Sequence, residues 1–184
     1  MYSEENKKIL LELARKSIKH GLENGRSLPV KIKDFDEELH QSRATFVTIK
    51  IEGALRGCIG VLEAYRSLCE DVAENAYSAA FRDPRFGPLK DEELDKIEIS
   101  ISVLNPSEPM TFTSEEDLIS QIKPGVDGLI LEDGMYRGTF LPAVWESVKT
   151  AKEFFTHLKL KAGLPSSHWS DTLTVKRYTT EYLE

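Results

Sequence analysis

The stretch ATFVTIKIEGALRGCIGVL, residues 44–62, decides the fold of this chain. Its first half, Ala44 to Ile51, is rich in β-branched residues, and its second half, Leu55 to Leu62, can return as another strand. Gly53 lies between the two halves and is typical of a tight turn. The stretch therefore predicts a β-hairpin, from which the neighbouring elements can be worked out in both directions.

A helix is predicted on each side of this hairpin. Apolar residues from Ile9 to Ile18 recur every three or four positions, and Gly21 is predicted to follow the end of this first helix. Beyond the hairpin, Ser67 and Glu70 have the spacing of a capping box, and a helical period continues to about Phe81. The second helix is rich in alanine, which favours close packing against a sheet.

The rest of the chain combines strands with short helices. Residues 97–103 alternate apolar and polar side chains, which is the pattern of a half-buried strand. Asp133 and Gly134 predict the turn of a second hairpin, and a closing strand is predicted over residues 172–178. Capping boxes that start at Thr113 and Thr150 predict two more helices. Because this order has no regular βαβ rhythm, we predict an α+β fold in a single domain, residues 1–184.

The composition limits the class of protein. The 184 residues include 24 Lys and Arg against 31 Asp and Glu, and the net charge of −7 argues against nonspecific binding to nucleic acid or anionic lipid. No stretch approaches the ~18 consecutive apolar residues of a membrane helix. The two cysteines, Cys58 and Cys69, have no CxxC spacing, so we expect reduced thiols and a cytoplasmic protein.

The string LRGCIG, residues 55–60, gives the strongest indication of chemistry. In a strand, Arg56, Cys58 and Gly60 project to one face, so a guanidinium would lie beside a thiol and favour the reactive thiolate. Gly57 and Gly60 weaken a strand, and they indicate a bulge, a bend or the close approach of a ligand. The alternative is a structural cysteine, since free cysteines are usually small core residues.

The loop FRDPRFGPL, residues 81–89, follows the second helix and carries Arg82, Asp83 and Arg85. Two guanidinium groups and one carboxylate in a single loop can bind an anionic substrate group, with Asp83 orienting an arginine. The alternative is an internal ion pair that braces a loop bounded by prolines. The sequence leaves both interpretations open.

Other signatures of catalysis are absent from the sequence. The four histidines, His20, His40, His157 and His168, are isolated, and no metal-binding spacing is visible among them or with the cysteines. No nucleotide-binding glycine motif, serine-hydrolase motif or radical-SAM cysteine pattern occurs. Cys69 is interpreted as a residue that packs within its helix. The sequence therefore predicts no metal site and leaves the cofactor unknown.

Several motifs in the same order give the chain a family resemblance. LRGCIG, the alanine-rich helix, DPRFGPL, IEISISVL, GVDGLIL, TFLPAVW and LKAG with a following Trp169 together resemble the AMMECR-type domain family, also called AmmeMemoRadiSam system protein A. The resemblance covers nearly the whole chain. It implies an α+β fold with a mixed β-sheet flanked by helices and a smaller, intertwined lobe, and it implies no established reaction. Gly87 stands where the family often has a second proline.

Two kinds of function remain open at this point. In the first, the protein is a small-molecule enzyme or an accessory subunit whose nucleophile or carrier is Cys58. The residues expected to bind its anionic substrate are Arg56, Gly57, Gly60, Arg82, Asp83 and Arg85. In the second, the protein is a non-catalytic module that binds a ligand or works with the Memo-like and radical-SAM proteins that the resemblance implies as partners.

Overall fold

The computed structural model describes residues 1–184 and divides them into two units. Unit 1 consists of Met1–Leu104 and Glu181–Glu184, and unit 2 consists of Asn105–Thr180. In the sequence, unit 2 is therefore inserted between the two parts of unit 1. The single domain expected over residues 1–184 stays a prediction. None of the helices is both long enough and apolar enough to cross a membrane.

The chain contains four α-helices and eight strands. The helices are α1 (Glu4–Asn24), α2 (Leu68–Phe81), α3 (Glu115–Gln121) and α4 (Ala151–Lys161). The strands are β1 (Ala44–Ile51), β2 (Ala54–Gly60), β3 (Ile97–Leu104), β4 (Glu108–Pro109), β5 (Gly128–Asp133), β6 (Tyr136–Phe140), β7 (Thr174–Tyr178) and β8 (Thr180–Leu183). The predicted α+β class is confirmed.

The sheet of unit 1 has the strand order β2-β1-β3-β8. The predicted hairpin is confirmed: β1 and β2 are antiparallel, and Glu52 and Gly53 both have the positive φ of a type I′ turn. The pairing shifts between Ile49 and Lys50, so Arg56 has no partner residue on β1 and forms a bulge. Because β2 is the edge strand, its outward backbone groups need partners from outside the sheet.

Helix α1 ends at Asn24, which is later than predicted. Gly25 has a left-handed φ of 69°, and its backbone N–H donates to the carbonyl of Gly21, so Gly25 ends the helix. Gly21 lies inside the helix, where an added Cβ would lie 2.5 Å from the Phe81 ring and 2.7 Å from the Tyr77 ring. The prediction for Gly21 is wrong because contact with α2, and not a helix end, requires a glycine there.

Helix α2 begins at the predicted capping box of Ser67 and Glu70 and ends at Phe81. Its alanine-rich face packs tightly on β2, because a Cβ added to Gly57 would overlap the carbonyl oxygen of Ala79. The helix and the strand therefore approach each other through small residues. This contact holds the strand that carries Cys58 against the core of unit 1.

The sheet of unit 2 has the strand order β4-β7-β5-β6. The predicted hairpin at Asp133 and Gly134 is confirmed, and it joins β5 to β6. Helix α4 packs on β6, where a Cβ added to Gly138 would lie 3.0 Å from Ala162. Gly163 follows with a φ of 88°, so the Lys-Ala-Gly motif at the end of α4 is a helix terminus packed on a strand.

The two helix starts predicted in unit 2 have different outcomes. The side chain of Thr150 accepts a hydrogen bond from the backbone N–H of Glu153 and caps α4, as predicted. Helix α3 is capped by Ser114, whose side chain accepts from the backbone N–H of Asp117. The cap predicted at Thr113 is therefore wrong by one residue, since Thr113 precedes the cap and donates its N–H to the Asp117 carboxylate.

Each unit has a sheet and a hydrophobic core of its own. The resemblance implied a mixed sheet, whereas the pairs β1–β2, β1–β3, β4–β7, β5–β6 and β5–β7 are all antiparallel. The hairpin turns explain this result in part, because a two-residue connection joins only antiparallel strands. The core of unit 1 includes Ile49 and Leu68, and that of unit 2 includes Leu131 and Phe154.

Candidate functional site

Cys58 lies on β2, directly opposite Thr48 of β1. Its backbone N–H points away from β1, because it donates to Oδ2 of Asp83 at 2.9 Å. Opposite residues of this kind are not hydrogen-bonded to each other through the backbone, and their side chains come closest. Accordingly, the Thr48 hydroxyl donates to Sγ of Cys58 at 3.3 Å. The thiol is partly buried and carries no disulfide.

The loop after α2 covers this part of the sheet edge through Asp83. The Asp83 side chain is only 2% exposed, and its carboxylate accepts hydrogen bonds from Nε and Nη2 of Arg85 at 3.1 and 2.8 Å. The hydrogen bonds from Arg85, together with the N–H of Cys58, hold the pKa of Asp83 well below its usual value. The internal ion pair considered from the sequence is therefore present, and it is tied to the backbone of Cys58.

Arg85 also faces the carbonyl side of Cys58. Its Nη2 lies 3.5 Å from the Cys58 carbonyl oxygen, and its side chain is 56% exposed. Hydrogen bonding to Asp83 is the main cause that raises the pKa of Arg85, and the negative charge of a Cys58 thiolate contributes to the same shift. Arg85 therefore links the Asp83 carboxylate to the backbone of Cys58, while more than half of its side chain stays exposed.

Arg56 is engaged by a different carboxylate. Its Nε and Nη2 donate to the two oxygens of Glu93 at 2.9 and 3.1 Å, and this pairing lowers the pKa of Glu93. The Arg56 and Arg85 guanidinium carbons lie 5.9 and 5.5 Å from the centre of the Phe86 ring. The third nitrogen of the Arg56 guanidinium, Nη1, is buried without a partner. No hydrogen bond joins Arg56 to Cys58.

Arg82, the other arginine of the loop, lies apart from this group. Its guanidinium is 3.5 Å from a carboxylate oxygen of Glu74 and 5.0 Å from the centre of the Tyr77 ring. With 62% of its side chain exposed, this is a solvent-facing ion pair on α2. The structure therefore brings Cys58, Asp83 and Arg85 together and leaves Arg82 outside.

The two glycines of the motif have contacts inside unit 1. Gly57 packs on the backbone of Ala79, and a Cβ added to Gly60 would overlap the Phe46 ring. Their small size is thus explained by packing, and their role in substrate binding stays a prediction. Cys69 is fully buried in the core, as its interpretation as a packing residue requires. We call Thr48, Cys58, Asp83 and Arg85 the Cys58 cluster.

A second polar cluster lies in unit 2 and was not predicted from the sequence. The carboxylate of Asp133 accepts hydrogen bonds of 2.6 Å from three side chains, those of His168, Ser170 and Thr172. The two hydroxyl groups and then the imidazole lower the pKa of Asp133 to about 2. We call these four residues the Asp133 cluster. His168 is 35 positions from Asp133, so no local motif indicates the pairing.

Metal ligation has no obvious location in either cluster. No group of three or more His, Cys, Asp and Glu side chains comes together in the structure. The chemistry that the two clusters offer is therefore that of a thiol beside a guanidinium and that of an imidazole beside a carboxylate.

Comparison with known proteins gives one consistent family. The sequence profile of the AMMECR1 family matches residues 11–183. A protein of Methanothermobacter thermautotrophicus is 41% identical over 177 residues, which cover 94% of this chain and 90% of that protein. The protein MJ0810 of Methanocaldococcus jannaschii is 37% identical over 163 residues, which cover 84% of this chain and 79% of that protein.

A solved structure has the same fold. The crystal structure of the uncharacterized protein PH0010 from Pyrococcus horikoshii superposes with a TM-score of 0.89 at 36% sequence identity. The match covers 98% of this chain and 91% of that one. Both units of the present chain thus lie within the region of similarity.

Proposed function

The chain belongs to the AMMECR1 family, and we propose that it is a small-molecule enzyme, or an accessory subunit of one, in which Cys58 reacts with an anionic substrate bound by Arg85. The observation that carries the proposal is the position of the Arg85 guanidinium. Its Nη2 lies 3.5 Å from the backbone of Cys58, while more than half of its side chain remains exposed to solvent. A carboxylate or phosphate group can therefore approach the guanidinium and the thiol together.

The Thr48 hydroxyl supports the same proposal from the other side of the thiol. At 3.3 Å from Sγ, it donates a hydrogen bond that is stronger when the sulfur is negatively charged. The thiolate is the nucleophilic form of cysteine. In the proposed reaction, Thr48 supplies a hydrogen bond to the sulfur, and Arg85 supplies the positive charge that binds the anionic substrate.

Asp83 has a supporting role in this site. Its lowered pKa makes its carboxylate a weak proton acceptor at neutral pH, so it is poorly suited to activate Cys58 as a general base. Its hydrogen bonds instead fix Arg85 and the outward N–H of Cys58. A free thiol of this kind needs a reducing compartment, and we therefore propose a cytoplasmic location.

The experiment compares two alkylating agents that differ in charge. Cys58 is modified with iodoacetate, an anion, and with iodoacetamide, its neutral counterpart, and mass spectrometry separates its labelling from that of the buried Cys69. In Arg85→Gln, the rate constant for iodoacetate divided by that for iodoacetamide is expected to be about fivefold lower than in the unmodified protein. This corresponds to the roughly 1 kcal/mol between two charges about 4 Å apart in water.

Arg82→Gln is the matched control, because it removes the same charge from an exposed arginine of the same loop that does not contact Cys58. The rate ratio of iodoacetate to iodoacetamide in Arg82→Gln is expected to stay within about twofold of the value in the unmodified protein, since solvent and salt screen a more distant charge. Equal ratios in the unmodified protein and in a folded Arg85→Gln variant would contradict anion binding at Cys58. Inorganic phosphate should also slow the iodoacetate reaction of the unmodified protein more than that of Arg85→Gln.

The alternative function, a non-catalytic module working with Memo-like and radical-SAM proteins, differs in one measurable respect. Partner binding through shape and backbone does not require a thiol, whereas the proposed chemistry does. A Cys58→Ser variant that folds normally and fully complements a deletion strain would favour the module. Loss of complementation, with binding to those partners retained, would favour the enzyme.

A further inference from the structure

We propose that the Asp133 cluster is a second reactive site, in which Asp133 orients His168 so that the imidazole accepts a proton from water or from an uncharged hydroxyl group. The proposal concerns unit 2 alone and is independent of the role proposed for Cys58. Histidine is the commonest general base in enzymes, and here its imidazole is in direct hydrogen-bond contact with a carboxylate that can orient it.

The hydrogen bonds determine which imidazole nitrogen carries the proton. A carboxylate with a pKa of about 2 is ionised at neutral pH and can only accept hydrogen bonds. The 2.6 Å contact between Nε2 of His168 and Oδ2 of Asp133 therefore has Nε2–H as the donor. In the neutral imidazole, the lone pair is then on Nδ1, which is the nitrogen that can act as a base.

Nδ1 of His168 is free to meet a substrate. It has no hydrogen-bond partner within the chain, it is not buried, and the His168 side chain is 26% exposed. The other histidines differ: Nε2 of His20 is buried without a partner, and Nε2 of His40 contacts the carbonyl of Phe35. His157 is exposed on α4 and contacts no carboxylate.

Both halves of the pair are held in place by further contacts. Ser170 and Thr172 donate to Oδ2 and Oδ1 of Asp133, each at 2.6 Å, so the carboxylate cannot rotate away from the imidazole without losing these bonds. The buried ammonium of Lys159 donates to the backbone carbonyl of His168 at 3.2 Å, and it is neutralised by Glu115 at 2.6 Å. A base that is fixed in this way loses little entropy when it reacts.

The proton balance of the proposed step is simple. Nδ1 takes the proton of a water or alcohol O–H, whose bonding electron pair stays on the oxygen and makes it a nucleophile. The imidazolium that forms is stabilised by the negative charge of Asp133, at the distance of a short charge-assisted hydrogen bond. The ligand class is therefore water or a neutral hydroxyl compound, and no oxidant, reductant or metal enters the step.

The first test compares two histidines in the same molecule. Diethyl pyrocarbonate acylates an unprotonated imidazole nitrogen and releases ethanol and carbon dioxide, and peptide mass mapping gives the rate at each histidine. His168 is expected to react faster than the more exposed His157, because a carboxylate partner increases the electron density of the ring. In Asp133→Asn, the His168 rate should fall about tenfold, the lower end of what loss of an orienting partner costs.

A second measurement keeps the proposal testable if Asp133→Asn fails to fold. In a Cys58→Ala background, which excludes the thiol, hydrolysis of p-nitrophenyl acetate is measured with His168→Asn and, as the matched control, His157→Asn. His168→Asn should lower the rate, and His157→Asn should leave it nearly unchanged. A His168 that is acylated no faster than His157, or hydrolysis that is equal in the two variants, would overturn the proposal and make the cluster a purely structural clamp.

Discussion

Each unit of the chain fixes a polar side chain with an aspartate, but the two aspartates do so with different partners. In unit 1, Asp83 binds a cation, Arg85, and the backbone N–H of Cys58. In unit 2, Asp133 binds two hydroxyl groups and an imidazole. Both carboxylates have lowered pKa values, because every partner donates a hydrogen bond to the ionised form.

The difference determines what each cluster leaves available for chemistry. The Asp83 carboxylate is fully engaged by Arg85 and the backbone at the sheet edge. The groups that remain available are therefore the Cys58 thiol and the exposed part of the Arg85 guanidinium. Asp133 binds Nε2 of the His168 imidazole and leaves its other ring nitrogen, Nδ1, free. The first arrangement suits a charged substrate, and the second suits a proton transfer. Two similar carboxylates thus support two different kinds of reactive group.

The largest expected effect comes from two glycines, one in each unit, at which a strand packs on a helix. Gly57 precedes Cys58 and contacts α2, and Gly138 pairs with β5 and contacts α4. Neither has a positive φ, so substitution by alanine acts through sterics alone. The methyl group of Gly57→Ala would overlap the backbone of Ala79 and should lower the free energy of unfolding by about 3 kcal/mol. The methyl group of Gly138→Ala would lie 3.0 Å from Ala162 and should lower it by about 1 kcal/mol.

These two variants can be assigned to their units by spectroscopy. Both tryptophans, Trp145 and Trp169, lie in unit 2, so fluorescence reports that unit, while circular dichroism also reports α1 and α2. Gly57→Ala should shift the dichroism curve in urea more than the fluorescence curve. Gly87→Ala is the control: it has open space and no positive φ, and it should change stability by less than about 0.5 kcal/mol. Equal costs for Gly57→Ala and Gly138→Ala would contradict the difference in packing.

The next effect in size is that of Asp83→Asn. Removing one partner of a buried ion pair usually costs about 3–5 kcal/mol, and since Arg85 is more than half exposed, we expect about 2 kcal/mol in urea unfolding. The same change removes the counter-charge of Arg85, so Cys58 should prefer iodoacetate over iodoacetamide more strongly. Glu74→Gln breaks the exposed pair with Arg82, and it should change neither quantity by a measurable amount. A lower preference for iodoacetate in Asp83→Asn would show that Arg85 needs Asp83 to face the thiol.

The same two clusters show what the sequence could predict. Asp83 and Arg85 are two positions apart in one loop, so their pairing was one of two local possibilities, and the capping boxes and hairpin turns that frame them are also local. The Asp133 cluster joins residues 35 to 39 positions apart, and the packing of unit 2 decides this juxtaposition. His168 accordingly looked isolated in the sequence. An Asp-Gly turn and a histidine are each too common to indicate a pair.

Errors in the predicted fold have the same origin. Gly21 resembled a helix end, because its contact with Phe81 of α2 is 60 positions away and invisible to a local pattern. Arg56 was expected to lie beside Cys58 by simple alternation; a bulge interrupts that alternation at Arg56, and its guanidinium pairs with Glu93, 37 positions away. Elements whose signals lie within a few residues were therefore predictable. Side-chain partners set by tertiary packing were not.

The smallest expected effect is the acid sensitivity of the Asp133 cluster. Because folding lowers the pKa of Asp133 from 3.8 to about 2, the ionised carboxylate stabilises the folded state fully above its unfolded pKa, and this contribution is lost as the pH falls towards 2. Thr172→Val removes one donor to the ionised form. It should therefore destabilise unit 2 near neutral pH, and its difference from the unmodified protein should shrink below about pH 4 in urea unfolding followed by tryptophan fluorescence. Thr139→Val is the matched control, because its hydroxyl donates to the carbonyl of Leu129 and contacts the hydroxyl of Tyr178, whose pKa burial raises to about 12; neither group titrates in acid, so its cost should be constant over the same range. A cost of Thr172→Val that is equally constant would mean that the hydroxyl binds no charged carboxylate, and the orienting role of Asp133 towards His168 would lose its basis.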